Sequence, residues 1–373
     1  MRPPAFVRDQ IPLLVALVLA VAMVIGHQFP VGPPPAGAAQ PAPDAAAARL
    51  QAWMRPLAPG EKPPQFVIFS FDGAGSHRHW QRVLEQAGRS EARVTGLLSG
   101  VYLLDDSRRE DYRGPGHGPG RSSIGFGGSP QEVDTLIEDL DRAVAGGHEI
   151  GTHYNGHFCQ GSEPGVGTWS AAMWADELDQ FFAFVEDARG RGLDLDPAAV
   201  RGGRTPCLEG DWPQAYAAMR DHGLTYDSSR TSDGIAWPTD EEGIREFWMP
   251  LVRVPAIGRK VILMDYNLWF TLNGAQDQPE RAAEFRDATL EAYRAAYDAA
   301  FTQNRAPLVI GNHFNDWSGG GFADAVEQFI PEVCLRPETV CATYSAVGEW
   351  LDLQDPAVLD RWREMPHAQV PGT

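Results

Sequence analysis

The chain has 373 residues, 31 of them Lys or Arg and 50 Asp or Glu, which gives a formal charge of −19. That acidic balance excludes nucleic acid as the main partner, because phosphate binding needs a basic face. With 43% hydrophobic and 22% charged residues the composition also excludes a disordered chain, and the length allows one barrel or two ordinary domains.

Arg2 and Arg8 precede an uncharged apolar run from Ile11 to Gly26, and the next Lys or Arg is Arg49. This asymmetry places the N-terminus inside and the bulk of the chain outside a membrane. Residues 1–27 are read as a membrane anchor or signal segment. The small-residue site Ala36-Gly37-Ala38 lies well beyond the run, so an uncleaved anchor is preferred to a removed signal. Residues 28–60, rich in Pro and Ala, read as a linker. The folded part is expected over 61–352, with 353–373 as a C-terminal tail.

Within the folded part, strands are expected at 66–71, 93–100, 148–153, 200–203, 224–228, 260–267, 307–313 and 339–344. Several are continuously apolar, as strands covered on both faces are. Residues 105–128 read as a long ordered loop over one end of the sheet. Ser129-Pro130-Gln131-Glu132 is a capping box with Pro at the first helical position, and Val133, Ile137, Leu140 and Val144 then repeat on one face. Residues 169–189 and 279–304 read as two further helices, the second burying Phe285, Leu290, Tyr293, Tyr297 and Phe301. This alternation predicts an α/β fold, a parallel barrel or an open doubly wound sheet.

Four cysteines in an exported chain suggest two disulfides. Cys334 and Cys341 bracket a short stretch and make one pair, which leaves Cys159 with Cys207. A thiolate metal site is the alternative, and no CxxC spacing supports it.

In a parallel α/β fold the chemistry gathers at the C-terminal ends of the strands. Five expected strands end in ionisable side chains: Asp72, His153 with His157 four residues on, Arg204 with Pro206, Asp265, and His313. Any one alone reads as a cap or a hydrogen-bonded side chain. The His153/His157 spacing can bring two imidazoles to one divalent cation, against the plainer reading of loop hydrogen bonding.

The ordered series SFDG, GHEIGTHYNGH, RGGRTP, MDYNLW and VIGNH resembles the motifs of the NodB-homology polysaccharide deacetylases, carbohydrate esterase family 4. The resemblance spans residues 63–352 and implies a distorted (β/α)7-type barrel that removes acetyl groups from a cell-envelope glycan outside the membrane. It implies a divalent metal, zinc by preference, held by His153, His157 and Asp72, with Asp72 also in the place of the catalytic base. His313 takes the place of the acid that protonates the leaving group. Arg204 is expected to orient the base through the carboxylate of Asp265, and Tyr154, Pro206 and Trp269 are expected beside the substrate.

One position departs from the pattern. The family's second, metal-ligating Asp falls on Gly73, which has no side chain to offer. Three outcomes stay open: Asp72 serves the metal and another group is the base, His77 completes the site, or the metal is weak or absent. The alternative function is accordingly a glycan-binding barrel that has lost catalysis. Cys207 stands where the family has an aromatic residue, and a bridge to Cys159 would tie the arginine loop to the histidine loop.

Overall fold

The computed structural model describes residues 44–372. The expected anchor or signal segment therefore lies outside the described residues. The first long strand, β1 (Gln65–Gly73), is buried from Gln65 through Asp72. Parallel strands β2 (Thr95–Leu98), β3 (Glu149–Thr152), β4 (Gly202–Gly203) and β5 (Tyr226–Asp227) follow it in order. Helices α2 (His77–Arg89), α3 (Pro130–Ala145), α4 (Ala171–Arg189) and α5 (Trp212–Asp221) connect them, after a first helix α1 (Ala45–Trp53) that precedes β1.

Beyond β5 the alternation lapses. Short strands β6 (Thr231–Asp233) and β7 (Thr239–Glu241) lead to β8 (Ile244–Glu246), which pairs parallel with β5, and then to β9 (Met249–Val254) and β10 (Arg259–Ile262). Helices α6 (Asp265–Asn273) and α7 (Ala282–Thr302) precede β11 (Leu308–His313). Helix α8 (Trp317–Cys334), β12 (Thr339–Cys341), α9 (Tyr344–Asp352) and α10 (Pro356–Arg363) complete the described chain.

Seven strands run parallel in the order β11, β1, β2, β3, β4, β5, β8. The chain then continues from β8 into β9, β9 pairs with β10, and Met264 bridges in parallel to Gly311 of β11. The parallel strands with their connecting helices are the distorted (β/α)-type barrel architecture expected from the sequence, with the link from β8 to β9 made by the chain and not by strand pairing.

The capping box forms as read, with Ser129 and Glu132 satisfying each other's backbone, and Val133, Ile137 and Leu140 are buried behind it. Several strands are shorter than expected, and three larger differences from the sequence reading matter for the fold. Residues 260–267 do not form one strand: pairing stops at Ile262, and Asp265 opens α6, where an acidic first turn meets the positive end of the helix. The expected linker contains α1, because its Ala-rich run has the strongest helix propensity and Asp44 caps it through the Ala47 N–H. The expected tail is also part of the fold: α10 lies within it, and Ala368 pairs with the Ile235 backbone.

Both disulfides join the pairs read from the sequence, Cys159 with Cys207 and Cys334 with Cys341. The first closes a separation of 48 residues, a constraint on the unfolded chain of about 4 kcal/mol in the loop-entropy model.

Candidate active site

The barrel's pairing register decides which side chains meet. Gly73, Leu98, Thr152, Gly203, Asp227 and Glu246 lie in one row across β1, β2, β3, β4, β5 and β8. One residue further along come His153, Arg204 and Ser228, and on the other flank Asp72 is paired in register with His313. Gly203 is needed in that row: a Cβ there would lie 2.2 Å from the Thr152 carbonyl oxygen, so a larger residue would push β4 away and take Arg204 with it.

Arg204 is fully buried, and its Nη1 donates to Asp72 Oδ1 at 2.7 Å and to Ser70 Oγ at 3.0 Å. Its Nε donates to the Ser228 carbonyl at 2.7 Å, and Nη2 to Ser228 Oγ at 3.0 Å and to Tyr344 OH at 2.8 Å. Burial alone would raise the Asp72 pKa, but the guanidinium, with His153 and His313 nearby, outweighs it and holds the carboxyl below its ordinary value. Arg204 therefore acts on Asp72 directly and does not reach it through Asp265, as the motif order had suggested.

Asp265 has a different task. Its Oδ1 accepts from His313 Nδ1 at 2.7 Å, and its Oδ2 accepts from the His313 N–H at 2.7 Å and from Asn315 Nδ2 at 2.8 Å. Burial works against the His313 imidazolium, but the Asp265 carboxylate prevails and raises its pKa. With Nδ1 held by Asp265, His313 has Nε2 free for a reacting group.

His153 and His157 stand on an irregular loop rather than on a helical turn. Tyr154 and His157 take positive φ values of 58° and 55°, which folds the loop back and sets the two rings 5.1 Å apart. His153 Nδ1 donates to the Arg204 carbonyl at 2.8 Å, leaving Nε2 as a lone-pair donor. Burial lowers both pKa values, that of His157 to about 3, so both rings are neutral at physiological pH.

This loop is held from behind by Glu177 of α4, whose Oε1 accepts from the Asn155 N–H at 2.9 Å and the Gly156 N–H at 3.2 Å. Tyr112 OH, from the long 105–128 loop, donates to Oε2 at 2.9 Å. Burial pushes the Glu177 pKa up to about 7. The residue escaped the sequence reading, although a signal was present: it lies among Trp174, Leu178 and Phe181 on the buried side of α4, where a carboxyl is out of place unless it has partners. Because its folded pKa is raised, Glu177 contributes stability that is complete below about pH 4 and is lost as pH rises through about 7. Glu177→Gln is expected to flatten that part of the stability curve in urea melts. Glu177→Ala, which leaves two buried backbone donors unpaired, is expected to cost about 2–4 kcal/mol.

Asp72, His153, His157 and His313 face one cavity of about 450 Å³, together with Thr205, Cys207, Leu208 and Tyr266. Three residues expected beside the substrate are placed otherwise. Tyr154 is fully buried against Trp174, because the turn at its positive φ sends the ring into the core. Pro206 is buried, and its neighbours Thr205 and Cys207 line the cavity instead. Trp269 stacks on Trp317 at 4.5 Å, while Tyr266, one helical turn nearer the start of α6, reaches the cavity. Ser70, Ser228, Tyr344 and Asn315 were not singled out in the sequence. Ser70 could have been, since it lies two residues before Asp72 on the same face of β1.

The two imidazoles suit a divalent metal: both are neutral, and one is oriented by a carbonyl behind it. The carboxylate is not gathered with them. Asp72 is engaged by Arg204, and Gly73, at φ +83°, presents no side chain. Among the described residues, one set of three His, Cys, Asp or Glu donors lies within 4.8 Å of each other, His157, Cys159 and Cys207, and its two sulfurs are bonded to each other. His77 does not complete the pair either, since its Nδ1 is turned to Asp139 at 2.9 Å.

No family model and no curated relative matches the sequence. Among solved structures, the chain is similar to a polysaccharide deacetylase candidate from Mycobacterium smegmatis, with 18% identity, coverage of 85% of this chain and 98% of the other, and a TM-score of 0.48. It is also similar to a family 4 carbohydrate esterase from Streptomyces lividans, with 13% identity, 77% and 96% coverage, and a TM-score of 0.40. A third similar structure is a family 4 pseudoenzyme from Bacillus anthracis, with 13% identity, 80% and 71% coverage, and a TM-score of 0.43.

Proposed function

We propose that the chain is a hydrolase that removes acetyl groups from a cell-envelope glycan outside the membrane. The observation that carries this reading is the in-register pair Asp72 and His313 on β1 and β11, facing one cavity, each held by its own charged partner. Arg204 favours the ionised form of Asp72 and Asp265 the protonated form of His313, so the two adjacent groups are biased toward base and acid respectively.

In this mechanism Asp72 takes a proton from the attacking water, and His313 gives one from Nε2 to the departing amine or alcohol. Arg204 keeps the Asp72 carboxylate aimed at the cavity, and Asp265 fixes the tautomer and angle of His313. A divalent metal, zinc by the chemistry of its ligands, is assigned to His153 and His157, where it would polarise the acetyl carbonyl and acidify water. Tyr266, 43% exposed at the cavity, offers a face for a sugar ring. The two disulfides support an oxidising compartment, and the membrane anchor remains a proposal from residues 1–27. Among the described residues no helix is long and apolar enough to cross a membrane.

The test is acetate release from acetylated chitooligosaccharides and acetylated xylan, with metal content determined on the same preparation. Near one equivalent of zinc is expected, falling below about a tenth in a His153→Ala, His157→Ala double variant, with loss of turnover. A second reading, a glycan-binding barrel without turnover, draws on Gly73. Glycan binding without acetate release on any of these substrates, in the zinc-loaded protein, would establish it instead.

A further inference from the structure

Beside the Asp72/His313 pair, the same end of the barrel holds a second arrangement of catalytic type. Ser76 and His79 both line a cavity of about 440 Å³ that also meets Asp72, His153, His157 and His313. Ser76 Oγ lies 2.8 Å from His79 Nδ1. The other ring nitrogen, Nε2, lies 2.9 Å from the Asn315 carbonyl oxygen. A carbonyl only accepts, so Nε2 carries the proton, Nδ1 is the lone-pair atom, and the serine hydroxyl must donate to it.

Three observations fix this geometry. The His79 ring stacks on Phe314 at a centroid distance of 5.6 Å and 14° between planes, and it is 5% exposed. Asp316 Oδ1 stands 3.4 Å from Nε2 and also pairs with Arg78, which anchors the carbonyl side. Ser76 occupies the N-cap of α2, where a serine ordinarily accepts a bond from the first turn, yet its side chain makes no such bond. The hydroxyl is turned to the imidazole, and the N–H groups of the first turn beside it go without that cap. Burial lowers the His79 pKa and keeps the ring neutral, the state in which it can accept a proton.

We propose that Ser76 is a nucleophile, with His79 as its general base and the Asn315 carbonyl holding the imidazole, acting on acyl esters that enter this cavity. The Ser76 oxygen bonds to the acyl carbon as that carbon's bond to the alcohol oxygen breaks. The hydroxyl proton passes to His79 Nδ1 and then to the leaving alcohol. Water completes the cycle: its oxygen joins the acyl carbon, one proton returns to Ser76 through His79, and the free acid departs. Esters are the substrate class because an ester carbonyl yields to a serine hydroxyl without a metal and its alcohol leaves with less proton assistance than an amine needs.

The experiment uses p-nitrophenyl acetate with the full chain in its oxidised form, zinc-free and zinc-loaded, followed by peptide mass spectrometry after acid quench. The expected result is a burst of nitrophenol and one acetyl group on the peptide containing Ser76. Ser76→Ala is expected to abolish the label, and His79→Asn to slow its appearance by roughly 10²-fold or more. The label is expected to form in the zinc-free protein as in the zinc-loaded one, while acetate release from glycan needs the zinc, which separates this proposal from the metal-assisted reading. Absence of acetyl on Ser76 in the unmodified protein, which needs no variant to fold, would overturn the proposal. Labelling at an undiminished rate in His79→Asn would overturn it as well.

Discussion

Asp72→Asn is expected to lower kcat for deacetylation by roughly 10²–10⁴-fold with little change in KM, the range for loss of a positioned general base. The same substitution removes what is, among the described residues, the only carboxylate paired with Arg204, a guanidinium with no exposure of its own. Its remaining partners, Ser70, Ser228 and Tyr344, are neutral and satisfy its hydrogens without balancing its charge. Breaking a buried pair in this way costs about 3–5 kcal/mol, so the variant should melt several degrees lower. Arg204→Met is expected to recover part of that stability in the Asp72→Asn background while leaving turnover lost. Steady-state kinetics and thermal melts on the three proteins check this, and an Asp72→Asn variant with wild-type kcat would remove Asp72 from the chemistry.

His313→Ala is expected to reduce kcat by a similar factor, because the leaving group then departs unprotonated. Asp265→Asn should leave the imidazole in place and change its titration. In the wild type the activity profile rises through the lowered pKa of Asp72, below 3.8, and falls through the raised pKa of His313, above 6.5. In Asp265→Asn the charge that raises His313 is gone and burial remains, so the alkaline limb moves to lower pH. Stability follows the same sign. The raised His313 pKa contributes stability that is complete below 6.5 and lost as pH climbs through its folded value, and that contribution should vanish in the variant. A pH profile of kcat/KM with an unmoved alkaline limb in Asp265→Asn would assign the limb to another group.

The fold was legible wherever burial is written as a local pattern. FVIF and PLVIG are apolar throughout because β1 and β11 are covered on both faces, and Ser129 and Glu132 announce α3 because a capping box needs only four adjacent residues. The segment from 231 to 254 was not legible. Its strands are three to six residues long and interrupted by polar or partly exposed positions, so no period stands out in them, and each depends on a neighbour supplied by the fold, parallel for β6 and β8 and antiparallel for β7. Helix α10 and the Ala368 pairing went unread for the same reason: a short amphipathic turn at a chain end is stabilised by the surface it meets.

By itself the sequence determined which chemistry-bearing residues lie at or just past strand ends: Asp72 and His313 in β1 and β11, His153 and Arg204 directly after β3 and β4, and Asp265 three residues beyond β10, a consequence of where a strand leaves the core. It also determined the cysteine pairing, since one pair is adjacent along the chain and only one other remains. Only the tertiary structure decided who holds whom. Strand register, set by long-range pairing, puts His313 beside Asp72, sends Arg204 to Asp72 and Asp265 to His313, and leaves Tyr154 in the core. It also lets an N-cap serine meet an imidazole steadied by a carbonyl 236 residues away along the chain, a contact that no local pattern encodes because its third member comes from another strand's end.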